Sequence, residues 1–421
     1  MKGWETRQLG EVCEMINRGI APKYVDEGGV CVINQKCIRN HVINFELARR
    51  HDIAVKSVNP ERYIQIGDVL VNSTGTGTLG RVAQVRKEPT EITTVDTHVT
   101  IVRPHSGRFF NDFFGYMLVR IEDEISSSGE GASGQTELAR STIAERFKVS
   151  FPNSISEQKR IVSIVDEAFE AIDIAIDNTK QNLTNARELF DSYLNAIFTQ
   201  KGDEWKEKKL DEIGGKVSTG PFGSLLHKSD YIFGGIPIVN PANIEENKII
   251  PNFNKTISPD VARRMHAYIL KQNDVVVGRR GEIGRCAVVG EEEAGWLCGS
   301  GSFFINPFEN VNSIFLAHLI RSVPYRSKLE ELASGATMLN LSNQSLSDLV
   351  IAMPSIDEQN QITNKLDDLR TETQRLEAIY QQKLTALNEL KQSILHKAFT
   401  GELTVATVDL KTNIEKEAIM I

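Results

Sequence analysis

The sequence contains an internal repeat with a spacing of about 201 residues. A stretch that begins at Pro152 and carries Glu157-Gln158 returns at Pro354 with Glu358-Gln359. The same spacing relates other positions along the chain: Trp4 to Trp205, Leu9 to Leu210, Asn111 to Asn312, Leu183 to Leu384 and Phe198 to Phe399. An internal repeat decides the architecture before any local feature does. One half of the chain is therefore a diverged copy of the other half.

Each copy ends in a long helical segment. Apolar residues from Ile161 to Ile197 recur mostly at steps of three and four, and those from Ile362 to Ile394 do nearly the same. Such a seam is typical of a coiled coil, and a long helix with one apolar face needs a partner. At 1.5 Å per residue each helix would be about 65 Å long. We expect the two helices to pack on each other in antiparallel directions, with dimerisation through another chain as the alternative.

The repeat predicts an α+β fold in which two globular domains are separated by two long antiparallel helices forming a coiled coil. The predicted divisions are a first domain at 1–151, a central helix at 152–200, a second domain at 201–353, a C-terminal helix at 354–401 and a polar tail at 402–421. In the first domain, residues 30–33, 68–71 and 99–102 are predicted strands because they are rich in β-branched residues between turn signals. Residues 109–125 have helical spacing.

Composition limits the class of protein. Hydrophobic residues make up 40% and charged residues 25% of the chain, which is typical of a globular protein. The absence of a long apolar run and of a signal peptide, together with five cysteines that form no CxxC pair, predicts a cytoplasmic protein without membrane association. The net charge of −8 argues against a nucleic-acid partner. The acidic excess lies on the helical segments and the tail, however, so the total charge does not decide the question.

A glycine-rich turn follows a predicted strand in each copy. Residues 75–80 match GxGxxG, but a dinucleotide-binding fold needs a helix after this motif, and residues 81–86 alternate like a strand. A hairpin is therefore predicted. Glycines let a backbone approach a surface closely, and arginines suit phosphates or guanine edges. This pattern predicts DNA contacts by Thr74, Thr76, Arg81, Arg279, Arg280 and Arg285. A plain glycine hairpin with solvated arginines is the alternative.

Other polar loops complete the set of candidate DNA-binding residues. They are Asn34, Gln35 and Lys36 in the first copy, and Ser218, Ser224, His227, Lys228, Asn240, Thr337 and Asn340 in the second. An ordinary exposed loop is the alternative interpretation of each. The sequence has no GxxxxGK[ST], HExxH or GxSxG motif, and its histidines are scattered. Neither a catalytic site nor a metal site is predicted.

The combined pattern resembles the specificity subunit of type I restriction-modification systems, over essentially the whole chain. Each of two blocks begins near Trp-x(4)-Leu and is followed by a proline, a Glu-Gln pair and a long helix. The features that carry the resemblance are Pro152 with Glu157-Gln158, Pro354 with Glu358-Gln359, the helix ends Phe198-Thr199 and Phe399-Thr400-Gly401, and the turns Gly80-Arg81 and Gly284-Arg285. The first helix has Gln200 where the second has Gly401, a departure that affects only the local cap.

The resemblance implies recognition of DNA without catalysis by this chain. In that family two target-recognition domains and an antiparallel coiled coil form the subunit. It binds two copies of an adenine methyltransferase subunit, which use S-adenosylmethionine, and restriction (translocase-nuclease) subunits join that core. By resemblance, this chain binds double-stranded DNA at a bipartite asymmetric target, one half per domain, docks these subunits on its helices and binds no cofactor itself. The alternatives are a coiled-coil scaffold that does not bind DNA and an enzyme whose site has no recognised motif.

Overall fold

The chain divides into two compact units. A computed structural model describes residues 3–129, 136–221, 225–245, 247–333 and 340–402. Unit 1 comprises Met1–Lys180 with Gln382–Ile421, and unit 2 comprises Gln181–Gln381. The candidate residues Ser224 and Thr337, and the predicted tail beyond residue 402, lie outside the described residues. No helix within the described ranges is long and apolar enough to cross a membrane.

Unit 1 has two four-stranded sheets. Its strands in the described ranges are β1 (Trp4–Gln8), β2 (Cys13–Arg18), β3 (Tyr24–Val25), β4 (Val30–Ile33), β5 (Ile38–Arg39), β6 (Val42–Ile43), β7 (Arg49–His51), β8 (Val69–Asn72), β9 (Val82–Gln84), β10 (Thr93–Val95), β11 (Val99–Pro104) and β12 (Lys148–Pro152). Its helices are α1 (Leu9–Val12), α2 (Asn111–Arg120), α3 (Glu122–Ser126), α4 (Arg140–Arg146) and the first part of α5 (Ile155–Gln200). The sheet orders are β2-β11-β8-β9 and β10-β4-β7-β3.

Unit 2 repeats this plan. Its strands in the described ranges are β13 (Lys206–Lys209), β14 (Gly215–Thr219), β15 (Tyr231–Ile232), β16 (Ile236–Val239), β17 (Ile244–Glu245), β18 (Lys248–Ile249), β19 (Thr256–Ile257), β20 (Val275–Gly278), β21 (Cys286–Val288), β22 (Leu297–Cys298), β23 (Ser302–Pro307) and β24 (Val350–Met353). Its helices are α6 (Leu210–Ile213), α7 (Pro259–Arg264), α8 (Ser313–Arg321), α9 (Val323–Leu332), α10 (Asn343–Ser347) and the first part of α11 (Ile356–Thr400).

The strand order confirms the internal repeat. The sheets of unit 2 run β14-β23-β20-β21 and β15-β19-β16-β22, with each strand in the place of its counterpart in unit 1. The parallel pair β4–β10 in unit 1 answers the parallel pair β16–β22 in unit 2. The predicted strands at 30–33, 68–71 and 99–102 are confirmed as β4, β8 and β11. Apolar residues dominate these strands because side chains on both of their faces are buried.

The two long helices pack in antiparallel directions within each unit, as predicted. In unit 1, Val165 of α5 shares a buried cluster with Phe399 of α11, whereas Ile176, later in α5, clusters with Leu387, earlier in α11. The direction of pairing is therefore opposite along the two helices. The apolar seam of each helix covers the seam of the other, which gives each long helix the partner that its one-sided face requires.

A cation over an aromatic ring recurs in the helix pairing of each unit. In unit 1, Lys391 Nζ lies 5.0 Å from the ring centroid of Phe169 and 2.5 Å from Asp173 Oδ1. In unit 2, the Arg370 guanidinium lies 5.5 Å from the ring centroid of Phe190. The shift of 201 residues takes Phe169 to Arg370 and Phe190 to Lys391, so each ring on α5 corresponds to a cation on α11. In both units α5 supplies the ring and α11 supplies the cation. Such contacts contribute about 0.5–1 kcal/mol at exposed sites.

The Glu-Gln pairs of the sequence join the globular part of each unit to its helix. Gln158 is fully buried, and its Oε1 accepts a hydrogen bond from Phe110 N at 2.8 Å. Its Nε2 donates to Pro152 O at 2.9 Å. In unit 2 the buried Gln359 does the same with Asn312 N at 2.9 Å and Pro354 O at 3.0 Å. The repeated motif therefore has a structural role: its glutamine fixes the start of each long helix on the sheet domain.

Candidate nucleic-acid interface

The β8–β9 hairpin presents a polar turn at one edge of unit 1. Gly80 N donates to Asn72 O at 2.8 Å and closes the turn. The fully buried Asn72 then uses its side chain, because Nδ2 donates to Gln35 O at 3.0 Å and to Thr78 O at 3.1 Å. Asn72 thus ties the hairpin to the turn that follows β4. This contact brings the predicted residues of the two loops, including Thr74 and Gln35, onto one surface.

A row of polar side chains continues from the hairpin. Thr74 Oγ1 and His98 Nδ1 are hydrogen-bonded at 2.6 Å, and His98 N donates to Asp96 Oδ1 at 2.9 Å. Tyr24 OH donates to Asp96 Oδ2 at 3.4 Å, and the Arg49 guanidinium lies 3.4 Å from the Tyr24 ring centroid. Burial raises the pKa of Asp96, while its hydrogen bonds oppose that shift. Asp96 therefore organises a surface that offers a hydroxyl, an imidazole and a guanidinium.

Two of the predicted residues in unit 1 are used by their own turns. Asn34 Oδ1 accepts a hydrogen bond from Lys36 N at 2.9 Å, and Asn34 Nδ2 donates to a backbone oxygen at 3.0 Å. Arg81 Nη2 donates to Gly77 O at 2.8 Å. Lys36 and Thr76 are exposed. Asn34 and Arg81 therefore shape the surface beside the exposed Lys36 and Thr76.

In the corresponding hairpin of unit 2, Arg279 is half-buried and Arg280 is exposed. Arg279 Nε donates to Asn340 Oδ1 and Leu341 O, both at 3.1 Å. Its guanidinium lies 5.7 Å from the Phe303 ring centroid. Burial, with a smaller contribution from Arg280, lowers the pKa of Arg279. Arg279 therefore braces the hairpin against the segment at 340–341, whereas Arg280 is exposed.

The hairpin of unit 2 also rests on the turn after β16. Arg285 Nη1 donates to Pro241 O at 3.3 Å, and Arg285 Nη2 donates to Glu282 Oε2 at 2.5 Å. Asn240 Oδ1 accepts a hydrogen bond from Gly301 N at 3.3 Å. Like Asn72 in unit 1, these side chains hold two loops together. Arg285 and Asn240 are thus partly occupied by contacts within the unit.

Unit 2 has a concavity beside this turn. Its volume is about 490 Å³. The residues that line it are Lys228, Tyr231, Ile238, Asn240, Asn243, Asn252 and Lys255. Ammonium groups bind phosphates, carboxamides offer donors and acceptors to base edges, and a tyrosine ring can stack. The concavity therefore brings the predicted Lys228 and Asn240 together with groups that can bind an anion and form hydrogen bonds.

The remaining predicted residues lie elsewhere. Ser218 is half-buried on β14 opposite Phe304 and is not among the residues that line the concavity. His227 is exposed just before the short turn that contains Lys228. Asn340 supports Arg279, as described above. The DNA-contact role of every candidate residue stays a prediction.

Sequence reasoning missed a pair of positions in each copy. A tyrosine precedes a double glycine in both copies, at Tyr24 and Tyr231, and comparison of the copies could have found it. Arg49 and Lys255 were not predictable in this way. They become equivalent only through the strand pairings β3–β7 and β15–β19, because each lies two residues before the partner of the tyrosine, which is His51 for Tyr24 and Ile257 for Tyr231.

The described residues include no group of three or more histidine, cysteine, aspartate or glutamate side chains that could hold a metal ion. All five cysteines are buried and unpaired. The chemistry that these two surfaces offer is hydrogen bonding, stacking and attraction to anions.

Comparison with known families decides which kind of protein this is. Residues 1–185 and 202–386 each match the sequence model of the type I restriction modification DNA specificity domain. The chain belongs to this family. The two matches follow the internal repeat, so each unit contributes most of one specificity domain.

Curated members of the family have related sequences. The specificity subunit of the type I restriction enzyme EcoBI of Escherichia coli is 25% identical over 202 residues, which cover 48% of this chain and 42% of that protein. The EcoKI specificity subunit of Escherichia coli strain K12 is 27% identical over 185 residues, covering 42% of this chain and 38% of that protein. The matched segments thus span less than half the length of these relatives.

Solved structures share the fold over nearly the whole chain. The HsdS subunit from Thermoanaerobacter tengcongensis superposes with a TM-score of 0.63 at 18% identity, covering 96% of this chain and 98% of that chain. A chain from a structure that addresses complex assembly and conformational transition of the type I R-M system superposes with a TM-score of 0.71 at 18% identity. The match covers 95% of this chain and 98% of that chain. At this identity the likeness concerns the fold alone.

Proposed function

We propose that the chain is the sequence-reading subunit of a type I restriction-modification complex. Each unit contacts one part of a bipartite asymmetric target in double-stranded DNA. The observation that supports this most directly is that two copies of the DNA specificity domain carry equivalent polar surfaces with different side chains. Thr74 and Arg49 in unit 1 have Arg280 and Lys255 as their counterparts in unit 2. Different donors at equivalent places favour different base sequences for the two parts of the target.

The chain acts together with other subunits in this proposal. Two methyltransferase subunits, which use S-adenosylmethionine, dock on its helices, and restriction subunits join the complex. The chain itself binds no cofactor and carries out no reaction. The acidic helices suit protein partners better than DNA, because phosphates repel carboxylates. A cytoplasmic location, where chromosomal DNA is accessible, is part of the same proposal.

Selection of binding sites tests DNA recognition directly. The full-length chain is incubated with a library of random-sequence duplexes, and the retained duplexes are sequenced over several rounds. We expect two conserved blocks separated by a gap of unread base pairs, with affinity that falls steeply as salt concentration rises. One uninterrupted block would contradict the bipartite target, and no enrichment at all would support a scaffold that does not bind DNA.

A methylation map tests the function in the cell. Modified adenines are mapped across the genome of the source organism with this gene intact and with it disrupted. We expect methylation to disappear at one split motif that matches the selected duplexes. If methylation is unchanged while the methyltransferase subunits are expressed, the proposed role of the chain in directing methylation is wrong.

A further inference from the structure

Unit 2 exposes an apolar patch next to this concavity. The Phe233 side chain follows β15 and is 79% exposed, and Phe253 is 53% exposed. The two segments are in contact, because Gly234 N donates to Phe253 O at 3.0 Å. A phenylalanine this exposed gains nothing for the stability of the unit, since the stabilisation from an aromatic side chain comes from its burial.

The local backbone holds Phe233 in an outward position. Gly234 has a φ of +71°, in the left-handed region that favours glycine. At Gly235 a Cβ atom would lie 2.4 Å from Ile257 O, so no larger residue fits. Thr256 Oγ1 also accepts a hydrogen bond from Gly235 N at 2.7 Å. The chain therefore makes a defined turn over the end of β19 and presents Phe233 at its tip.

The patch is continuous with the surface that the proposed function assigns to DNA. Tyr231 lies two residues before Phe233, and Asn252 and Lys255 flank Phe253. Tyr231, Asn252 and Lys255 all line the concavity. An apolar tip beside ammonium and carboxamide groups fits a ligand that has both anionic and flat apolar parts. Duplex DNA has both, in its phosphates and its base stack.

We propose that Phe233 inserts against a base step of the duplex bound by unit 2, and so makes recognition of that half-site depend on how easily the step unstacks. This inference rests on the proposed function and adds a mode of recognition to it. Apolar side chains that wedge into a base step partly unstack it and kink the duplex. Steps that unstack easily are then preferred even where no base edge is contacted.

The equivalent turn of unit 1 carries no aromatic residue at its tip. The turn between β3 and β4 carries Asp26 and Glu27 before its double glycine, and both carboxylates are exposed. A carboxylate at that place would repel the phosphates of a duplex. We therefore expect a wedge at this turn in unit 2 and none at the equivalent turn of unit 1.

Three variants of the full-length chain test the inference on duplexes selected by the wild-type chain. In Phe233→Ala we expect affinity to fall about tenfold or more, because stacking of one aromatic side chain is lost. The dependence of log affinity on log salt concentration should not change, because a phenyl ring releases no counterions. In Lys255→Ala, by contrast, that slope should fall by about 1. Phe308→Ala, at an exposed phenylalanine outside the patch, is the matched control and should bind like the wild type.

A fluorescent variant reports the contact itself. Phe233→Trp should lose emission intensity when the selected duplex is added, beyond any change in the wild-type chain, which contains Trp4, Trp205 and Trp296. Wild-type affinity in Phe233→Ala, or unchanged emission in Phe233→Trp, overturns the inference while leaving the proposed function intact; the patch would then serve a protein partner. If the wild-type chain selects no duplex, the proposed function fails and this inference fails with it.

Discussion

At the scale of single residues, each repeated glutamine fixes the start of a long helix through the hydrogen bonds of its side-chain amide. Gln359 is nearly fully buried, and its amide makes hydrogen bonds to three backbone groups: Asn312 N, Pro354 O and Asn310 O. A glutamine reaches both a donor and acceptors because its amide carries one oxygen and one NH₂ group. The residue therefore joins the start of α11 to the start of α8 in unit 2.

Replacement of this glutamine tests its structural role. In Gln359→Leu, the backbone groups that it satisfies are left buried without partners, which costs about 1–3 kcal/mol for each group. We expect the free energy of unfolding to fall by about 2 kcal/mol or more, measured by denaturant unfolding, with hydrogen exchange assigning the loss to unit 2. Gln361→Leu, two residues later and exposed, is the control and should change stability by less than about 0.5 kcal/mol. Equal losses would contradict the role assigned to Gln359.

A buried histidine predicts a dependence of stability on pH. Burial, assisted by the charges of Arg321 and Arg370, lowers the pKa of His318 from 6.5 to about 3 in the folded chain. The unfolded chain therefore binds a proton between these pH values that the folded chain does not bind. Stability from this group is fully present above pH 6.5 and is lost as the pH falls towards about 3.

The expected slope is about 1.4 kcal/mol per pH unit within that window. Denaturant unfolding from neutral pH down to the upper part of the window measures it before the carboxylates titrate. In His318→Phe, which keeps an aromatic ring but cannot be protonated, the slope attributable to this site should be absent. A slope that persists unchanged in this variant would show that another group causes it.

At the scale of elements, the β8–β9 hairpin requires glycine at Gly80 far more than at Gly77. Gly80 and Gly77 both have positive φ values, +85° and +73°. A Cβ atom at Gly80 would lie 2.4 Å from the Cα of Ser126, whereas one at Gly77 would meet nothing within 4 Å. The hairpin therefore rests on α3 at Gly80, and its tip at Gly77 extends into open space.

The two alanine variants should separate these effects. Gly77→Ala costs only the left-handed conformation, about 1–2 kcal/mol. Gly80→Ala adds a displacement of packed backbone, so we expect a loss of about 3 kcal/mol or more in the free energy of unfolding. Thermal unfolding of the two variants checks the order. The hairpin is not anchored at Gly80 if both variants lose the same amount.

At the scale of the whole molecule, the proposed function would let two diverged units on one chain change the two parts of a target independently. The topology is the same in both, yet the hairpin of unit 1 exposes Thr76 and that of unit 2 exposes Arg280. The exposed side chains of the two units therefore differ in chemistry while the framework stays the same.

One arginine should affect only one half of the target. In Arg280→Ala, we expect discrimination at one or two base pairs of a single half-site to fall by about 1–3 kcal/mol, the worth of a good base contact. Repeating the duplex selection with the variant measures this change. Arg375→Ala, at an exposed arginine of α11, is the control and should select the wild-type motif. Equal relaxation of both half-sites would contradict independent reading by the two units.

The sequence by itself favoured antiparallel pairing of the two long helices over pairing with another chain, and it determined the repeat, the helices themselves and the strand-turn-strand character of the glycine-rich turns. These features depend on periodicity and local conformational preference, which a sequence displays directly. The same signals led to the family through Glu157-Gln158 and Glu358-Gln359.

Only the tertiary structure decided which polar residues face outward and which brace the fold. Arg279 and Arg280 are adjacent and chemically identical, yet Arg279 is held by Asn340 from a distant segment whereas Arg280 is exposed. Lys255 joins Lys228 because strand pairing brings their loops to one concavity. Contacts between segments far apart in the chain fix these outcomes, and such contacts leave no periodic signal in the sequence.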